Sequence, residues 1–292
     1  MKVNNNKGGI MAVASTEIGK ADSTNQLVHE PTDERMVPEH SDRLTFWEHV
    51  YRYAFACRFV KGKRVLDIAC GEGYGAAAFE KSGAAHVTGV DISEAACLHA
   101  HAKYGIDARL GTAEEIPLTD GSVDVVVSFE TIEHVPNPHR FLNECARVLV
   151  PGGMLIISTP NKEVYGLGPP NPFHCSEMTE EEFATALGGR FRNCRFYTQR
   201  PKSVAWWSLR TLARDDRPWT RVRAFPLCRR ALQKWFVTET NDPLTNEQRE
   251  SILDLILTAG KKQRHLLNPF TLRPQRDWIL EKSLYLVATA FR

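Results

Sequence analysis

Four side chains, three in one run and one in a later loop, have the types and spacing of an active centre. Glu130, Glu133 and His134 stand at i, i+3 and i+4, which puts all three on one face of a helical turn. His174 follows later, in Asn171-Pro172-Phe173-His174. Two carboxylates and two imidazoles suit Mg²⁺ or Mn²⁺. Without a metal, either histidine can serve as a general base, and the same four side chains can simply wall a pocket. Spacing alone leaves these three readings open.

A second feature precedes them. The run Asp67-Ile68-Ala69-Cys70-Gly71-Glu72-Gly73-Tyr74-Gly75 leaves an apolar stretch and enters a glycine-rich turn. Glycines there let the backbone approach a ligand at the start of the next helix. The pattern Gly71-x-Gly73-x-x-Ala76 fits a dinucleotide fingerprint. Asp91 closes the next apolar stretch, where an acid binds the ribose hydroxyls of NAD or of an adenosine ligand. Asp67 separates the two. A carboxylate inside an apolar strand is costly to bury without a partner. A ligand carrying an ammonium or sulfonium centre supplies one, and NAD offers none at that point.

These residues need elements to carry them. Residues 41–60 are amphipathic and aromatic, and read as a helix. Apolar runs at 64–69, 86–92, 107–110, 123–129 and 154–160 alternate with helical patterns at 74–82, 93–105, 138–149 and 179–188. Ser93 is an N-cap candidate, and Thr179 with Glu182 forms a capping-box pattern. Residues 191–199 and 282–291 read as two further strands. Strand–helix alternation at this spacing predicts a doubly wound α/β sheet. Strand ends at the carboxyl edge of such a sheet face the ligand crevice. The runs ending at Phe129 and Pro160 therefore bring His134 and His174 to one edge.

Composition bounds the rest. The chain has 292 residues, 42% hydrophobic and 25% charged, which excludes global disorder and a fibrous protein. No apolar stretch is long enough to span a membrane, and the N-terminal residues lack the apolar core of a secretory signal. Seven scattered cysteines form no CxxC pair, so neither a disulfide framework nor a thiolate zinc site is expected. A reducing cytoplasm is the expected compartment, with attachment at the inner face of the membrane left open. The net charge is only +2, yet residues 190–235 hold eleven Arg, two Lys and two Asp. That segment is strongly basic on an acidic body, and calls for an anionic partner.

Four motifs in order, covering residues 60 to about 200, resemble the class I S-adenosylmethionine-dependent methyltransferases. They are VLDIACGEGYG at 65–75, VTGVDIS at 87–93, GTAEEIPLTDGSVDVVVSFETIEHV at 111–135 and RVLVPGGMLIISTPN at 147–161. The resemblance implies a Rossmann-like, seven-stranded sheet and S-adenosyl-L-methionine as cofactor. Asp67, Gly71 and Gly73 would face its methionine part and sulfonium. Asp91 would bind the ribose diol and Ile92 would pack on adenine. Ala113 and Glu114 would line the adenine side, and Phe129 would lie beside the cofactor. Ala69 replaces the first glycine of the family's pattern, and Thr112 stands where the family has an adenine-binding Asp.

Two finer resemblances concern the acceptor. Glu-x-x-Glu-His, followed after the next strand by His, resembles the metal site of the small-RNA 2′-O-methyltransferases. It implies Glu130, Glu133, His134 and His174 as ligands to Mg²⁺ or Mn²⁺. EHVYRYAFA at 48–56, SFETIEH and NPFH resemble methyltransferases of bacterial surface-polysaccharide and glycan gene clusters. Both imply an acceptor with a vicinal diol. The expected activity is O-methylation of a sugar or glycan hydroxyl. The alternatives are a small aromatic or quinone-like acceptor, and a cofactor-binding protein without activity.

Organisation follows. Residues 1–34 are expected to form a loose arm, 35–200 the cofactor-binding core, 201–281 a helical basic insertion and 282–292 the last strand. The insertion carries Trp206, Trp207, Arg210 and Arg214, and reads as a lid that recruits a phosphate-bearing acceptor or touches a membrane surface. No nucleic-acid-binding module is recognisable, so nucleic acid is not an expected partner.

Overall fold

The computed structural model describes residues 35–41, 43–165, 171–199, 251–262, 270–271 and 285–292. The elements run α1 (Arg43–Ala56), β1 (Arg64–Ile68), α2 (Tyr74–Lys81), β2 (His86–Asp91), α3 (Glu94–Tyr104), β3 (Asp107–Leu110), β4 (Val123–Phe129), α4 (Pro138–Val148), β5 (Leu149–Pro160), α5 (Lys162–Tyr165), α6 (Glu180–Gly188), β6 (Arg192–Gln199), α7 (Ile252–Lys262), β7 (Phe270–Thr271) and β8 (Tyr285–Phe291). The sheet order is β3-β2-β1-β4-β5-β8-β6-β7. Strands β1 to β5 pair in parallel, and β8 runs antiparallel between β5 and β6. The seven expected strands are present. The two-residue β7 adds an eighth at the edge, against Thr198 and Gln199.

The doubly wound form follows from strands that are apolar on both faces. Val65, Val125, Val127, Ile156 and Val287 face one layer with α1, α2 and α7. Leu66, Val126, Leu155, Ile157 and Leu286 face the other, with α4 and α6. Local chemistry sets the helix starts. Ser93 accepts from the Ala96 amide at 3.3 Å, and Asn137 caps α4 ahead of Pro138. Thr179 and Glu182 form the capping box that opens α6. After Val148 the chain passes directly into β5, so Pro151-Gly152-Gly153 lies inside the strand rather than before it.

Helix α1 covers the end of the parallel sheet that carries the glycine turn. Phe46, Val50, Tyr53 and Ala54 recur at helical spacing and are buried. Tyr53 lies against Gly75, where a side chain would collide with its ring at 2.0 Å. Its ring meets Phe129, Tyr74 and Phe79 at 5.1, 5.4 and 5.6 Å.

The expected arm and most of the basic insertion, including its Trp and Arg residues, lie outside the described residues. Helix α7 comes from the C-terminal part of that insertion. Ile252, Leu253 and Ile256 are buried in the same layer as α1 and α2. No helix among the described residues is long and apolar enough to cross a membrane.

Gly75→Ala should destabilise the protein by about 1–3 kcal/mol, the usual cost of overpacking a tight contact. A thermal melt showing an unchanged Tm would mean that α1 is not seated on this glycine.

Candidate active site

The carboxyl ends of β1, β2 and β4 gather four carboxylates. Asp67 is fully buried on β1. Burial is the main reason its pKa rises to about 8; the Tyr53 hydroxyl opposes the rise and the Asp91 charge adds to it. That hydroxyl donates to Asp67 at 3.4 Å. Asp91, ending β2, accepts from the amides of Gly71 at 2.8 Å and Ser93 at 2.9 Å. It therefore ties the glycine turn to the start of α3. Gly71 and Gly73 have φ of 52° and 82°, the left-handed region that favours glycine. A Cβ at Gly73 would also lie 2.5 Å from that of Ala100.

Ile92 follows Asp91 and is 76% exposed, an apolar surface at the place expected to meet adenine. Ala113 packs against the layer beneath α4. Glu114 braces the start of α4. Its carboxylate accepts from the Asn137 amide at 3.1 Å and its carbonyl from Arg140 at 2.9 Å. Phe129 is buried at the end of β4 against Tyr53.

The acid–histidine group departs from the expected helical face. Glu130 has a φ of 53°, and only Ile132–His134 forms a single 3₁₀ turn. That break aims the Glu130 carboxylate at Ser158 and Arg52, while its charge still acts on Glu133. The Glu130 carboxylate accepts from Ser158 Oγ at 2.7 Å and pairs with the buried Arg52 guanidinium at 3.4 Å. The four-ligand set is thereby reduced to three. Glu133, His134 and His174 each offer a ligand atom, all within 4.8 Å of one another, and Glu130 is outside the group.

Backbone contacts make that group. The amides of Cys175 and Ser176 donate to the Glu133 carbonyl at 2.7 and 3.0 Å. Ser176 Oγ donates to the Ile132 carbonyl at 3.2 Å. These staples dock the loop after β5 on the turn after β4, and the two imidazole rings meet edge to face at 4.9 Å. Tyr165 stacks on His174 at 5.1 Å. Glu133 is buried, and burial followed by the charge of Glu130 holds its pKa well above the carboxylate range. Its Oε2 accepts from Thr159 at 3.2 Å. Its Oε1 has no hydrogen-bond partner among the described residues, and stands 3.9 Å from His134 Nε2. A buried carboxylate oxygen beside two imidazoles fits a divalent cation.

Three participants carry no role in the sequence reading. Arg52 and Tyr53 sit in the amphipathic, aromatic helix and in the EHVYRYAFA segment, where neither is given a role. An arginine amid its apolar residues was the available signal. Glu177 was legible only as an acid at i+3 from His174.

Comparison with known proteins agrees with this architecture. Residues 66–157 match the family model described as a methyltransferase domain. A probable S-adenosylmethionine-dependent methyltransferase of Mycolicibacterium smegmatis is 42% identical over 165 residues, covering 53% of this chain and 62% of that protein. A ubiquinone biosynthesis O-methyltransferase of Maricaulis maris is 45% identical over 108 residues, covering 35% and 42%. This chain thus spans less than two thirds of the length of the curated relatives it matches. A crystal structure of an S-adenosylmethionine-dependent methyltransferase from Archaeoglobus fulgidus superposes with a TM-score of 0.52 at 18% identity, over 85% of this chain and 94% of that one. The sheet order is that of the class I, Rossmann-like methyltransferase fold, and residues 66–157 match a methyltransferase domain. The cofactor of that class is S-adenosylmethionine.

Two outcomes follow for the cofactor side. Asp91→Ala should weaken S-adenosylhomocysteine binding by about 1.5–3 kcal/mol, through loss of hydrogen bonds to a charged group. Calorimetry showing unchanged affinity would remove Asp91 from the site. Asp67 has a folded pKa raised above its unfolded value, so the folded state holds the extra proton. Its contribution to stability therefore declines as pH rises from about 4 to about 8. Asp67→Asn should abolish that decline, and the Tm of the variant minus that of the wild type should grow from pH 5 to pH 9. A difference that stays flat over this range would show that Asp67 titrates normally.

Proposed function

We propose that the protein is an S-adenosylmethionine-dependent O-methyltransferase acting on a hydroxyl with a vicinal oxygen neighbour, in the first reading a sugar or glycan diol. The observation that carries this reading is the Glu133–His134–His174 group at the carboxyl edge. Methyl transfer is an in-line displacement. The acceptor oxygen attacks the methyl carbon, the carbon–sulfur bond breaks, and the sulfonium becomes a neutral thioether. The domain must hold the two in line. An alcohol is a poor nucleophile at neutral pH, so its proton must be moved.

The residues fit a divalent cation held by Glu133, His134 and His174. Such a cation would acidify the hydroxyl and bind both oxygens of a diol. The chain's own contribution is to place these three side chains and to bury Glu133 away from water. Asp67, Gly71 and Gly73 serve the methionine end of the cofactor, and Asp91 and Ile92 the adenosine end.

A catechol-like acceptor is the second reading, favoured by the ubiquinone biosynthesis O-methyltransferases among the relatives. Both acceptors share the vicinal oxygens, and differ in acidity and ring shape. The basic segment at 190–235 supports a phosphate-bearing acceptor for either.

The test is incubation with methyl-labelled S-adenosylmethionine and two acceptor panels, sugars with vicinal diols and catechols, read by mass spectrometry. A methylated sugar supports the first reading, and methylated catechol alone supports the second. His134→Ala and His174→Ala should each lower turnover by about 100-fold or more. Chelator should abolish turnover and Mg²⁺ or Mn²⁺ restore it. Activity that survives chelator would discard the cation and leave His174 as the general base. Labelled product with neither panel, and no release of S-adenosylhomocysteine, would sink the hydroxyl assignment.

A further inference from the structure

Glu177 belongs to neither the cofactor motifs nor the acid–histidine group. It lies in the loop between α5 and α6, and its carboxylate takes His174 Nδ1 at 2.8 Å. The His174 side chain is 6% exposed and that of Glu177 is 18% exposed, so the contact is shielded from water. An ionised carboxylate can only accept, so the proton of this bond belongs to Nδ1. In a neutral His174 ring that places the hydrogen on Nδ1.

His134 is treated the same way by a different group. Its Nδ1 lies 3.2 Å from the Phe173 carbonyl, which also can only accept. Both imidazoles thus turn Nδ1 to an anchor. The two anchors come from one loop, residues 173–177, stapled to the Glu133 carbonyl through Cys175 and Ser176. One segment therefore fixes the position of both rings and the tautomer of each.

We propose that Glu177 is the positioning residue of the acceptor site, locking His174 as the Nδ1–H tautomer so that Nε2 serves the group it forms with Glu133 and His134. This rests on the reading of that group as the place where the acceptor hydroxyl is activated. The role serves a cation ligand and a general base alike, because each needs the lone pair on a known atom. Phe173 does the same for His134 through its backbone, which no side-chain substitution removes.

The experiment is long-range ¹⁵N–¹H correlation of the imidazoles in uniformly labelled protein, at a pH where they are neutral. Wild-type His174 should show the Nδ1–H pattern. Glu177→Gln, which keeps an acceptor oxygen, should retain most of that population. Glu177→Ala should shift it towards Nε2–H, while S-adenosylhomocysteine affinity by calorimetry stays unchanged and reports an intact fold. Mn²⁺ binding, followed on the same three proteins, should weaken by about 10- to 100-fold in Glu177→Ala, the usual cost of losing such a support. An Nε2–H signature in the wild type, or an Nδ1–H signature that survives Glu177→Ala, would overturn the proposal. If the tautomer shifts as expected but no protein binds Mn²⁺, the positioning role stands and the cation reading of the site falls.

Discussion

The Arg52 guanidinium is the charge on which the carboxyl edge of the sheet depends. It is 1% exposed, and an isolated buried charge of this kind would cost several kcal/mol. Three elements answer it. Glu130 at the end of β4 pairs with it at 3.4 Å, Gln199 at the end of β6 accepts from it at 3.2 Å, and the Tyr285 ring at the start of β8 lies 4.6 Å away. Gln199 in turn donates to the Glu48 carbonyl at 3.0 Å, which returns the network to α1. This one side chain ties α1 to three strands, two of which lie far from it in sequence. Removing it would leave Glu130 without its cation, in a place where water cannot fully replace it.

That pairing accounts for the local geometry of the site. Glu130 adopts a left-handed backbone, which is strained for a residue with a side chain, and its amide and carboxylate are both fixed by Ser158. The chain then turns through Ile132–His134 rather than entering a regular helix. Glu133 is thereby directed inward, to Thr159, and His134 outward, to the loop that carries His174. A single strained residue gives the two acids different partners, although their charges still act on each other.

Among the described residues, the edge is short of positive charge. Asp67, Glu130 and Glu133 are buried or nearly so, and Arg52 is the cation placed among them. Carboxylates in this state either take up protons or wait for cationic ligands. Asp67 lies on the side expected to meet a sulfonium cofactor, and Glu133 on the side of the two imidazoles. The same shortage of charge thus supports both halves of the proposed reaction, with α1 and its neighbouring Arg52 and Tyr53 standing between them.

The sheet was legible in the residues because its causes are local. Apolar runs of strand length, glycines that need positive φ, and Ser or Thr caps act within a few residues, and β1 to β6 and β8 lie where those patterns place them. The turn at Gly71 and Gly73 and the place of Asp91 at a strand end were legible for the same reason, since a turn at a strand end has few solutions. The acid–histidine group was only half legible. Its membership depends on where Glu130 points, and that is decided by Arg52, Ser158 and Gln199, which come from other parts of the chain. Tyr53 on Asp67, Glu177 on His174 and α7 in the core layer are likewise products of packing. Sequence by itself determined which chemistry the strand ends carry. Only the tertiary structure decided which carboxylate joins the histidines, because a buried cation selects its partner by distance in space and not by spacing along the chain.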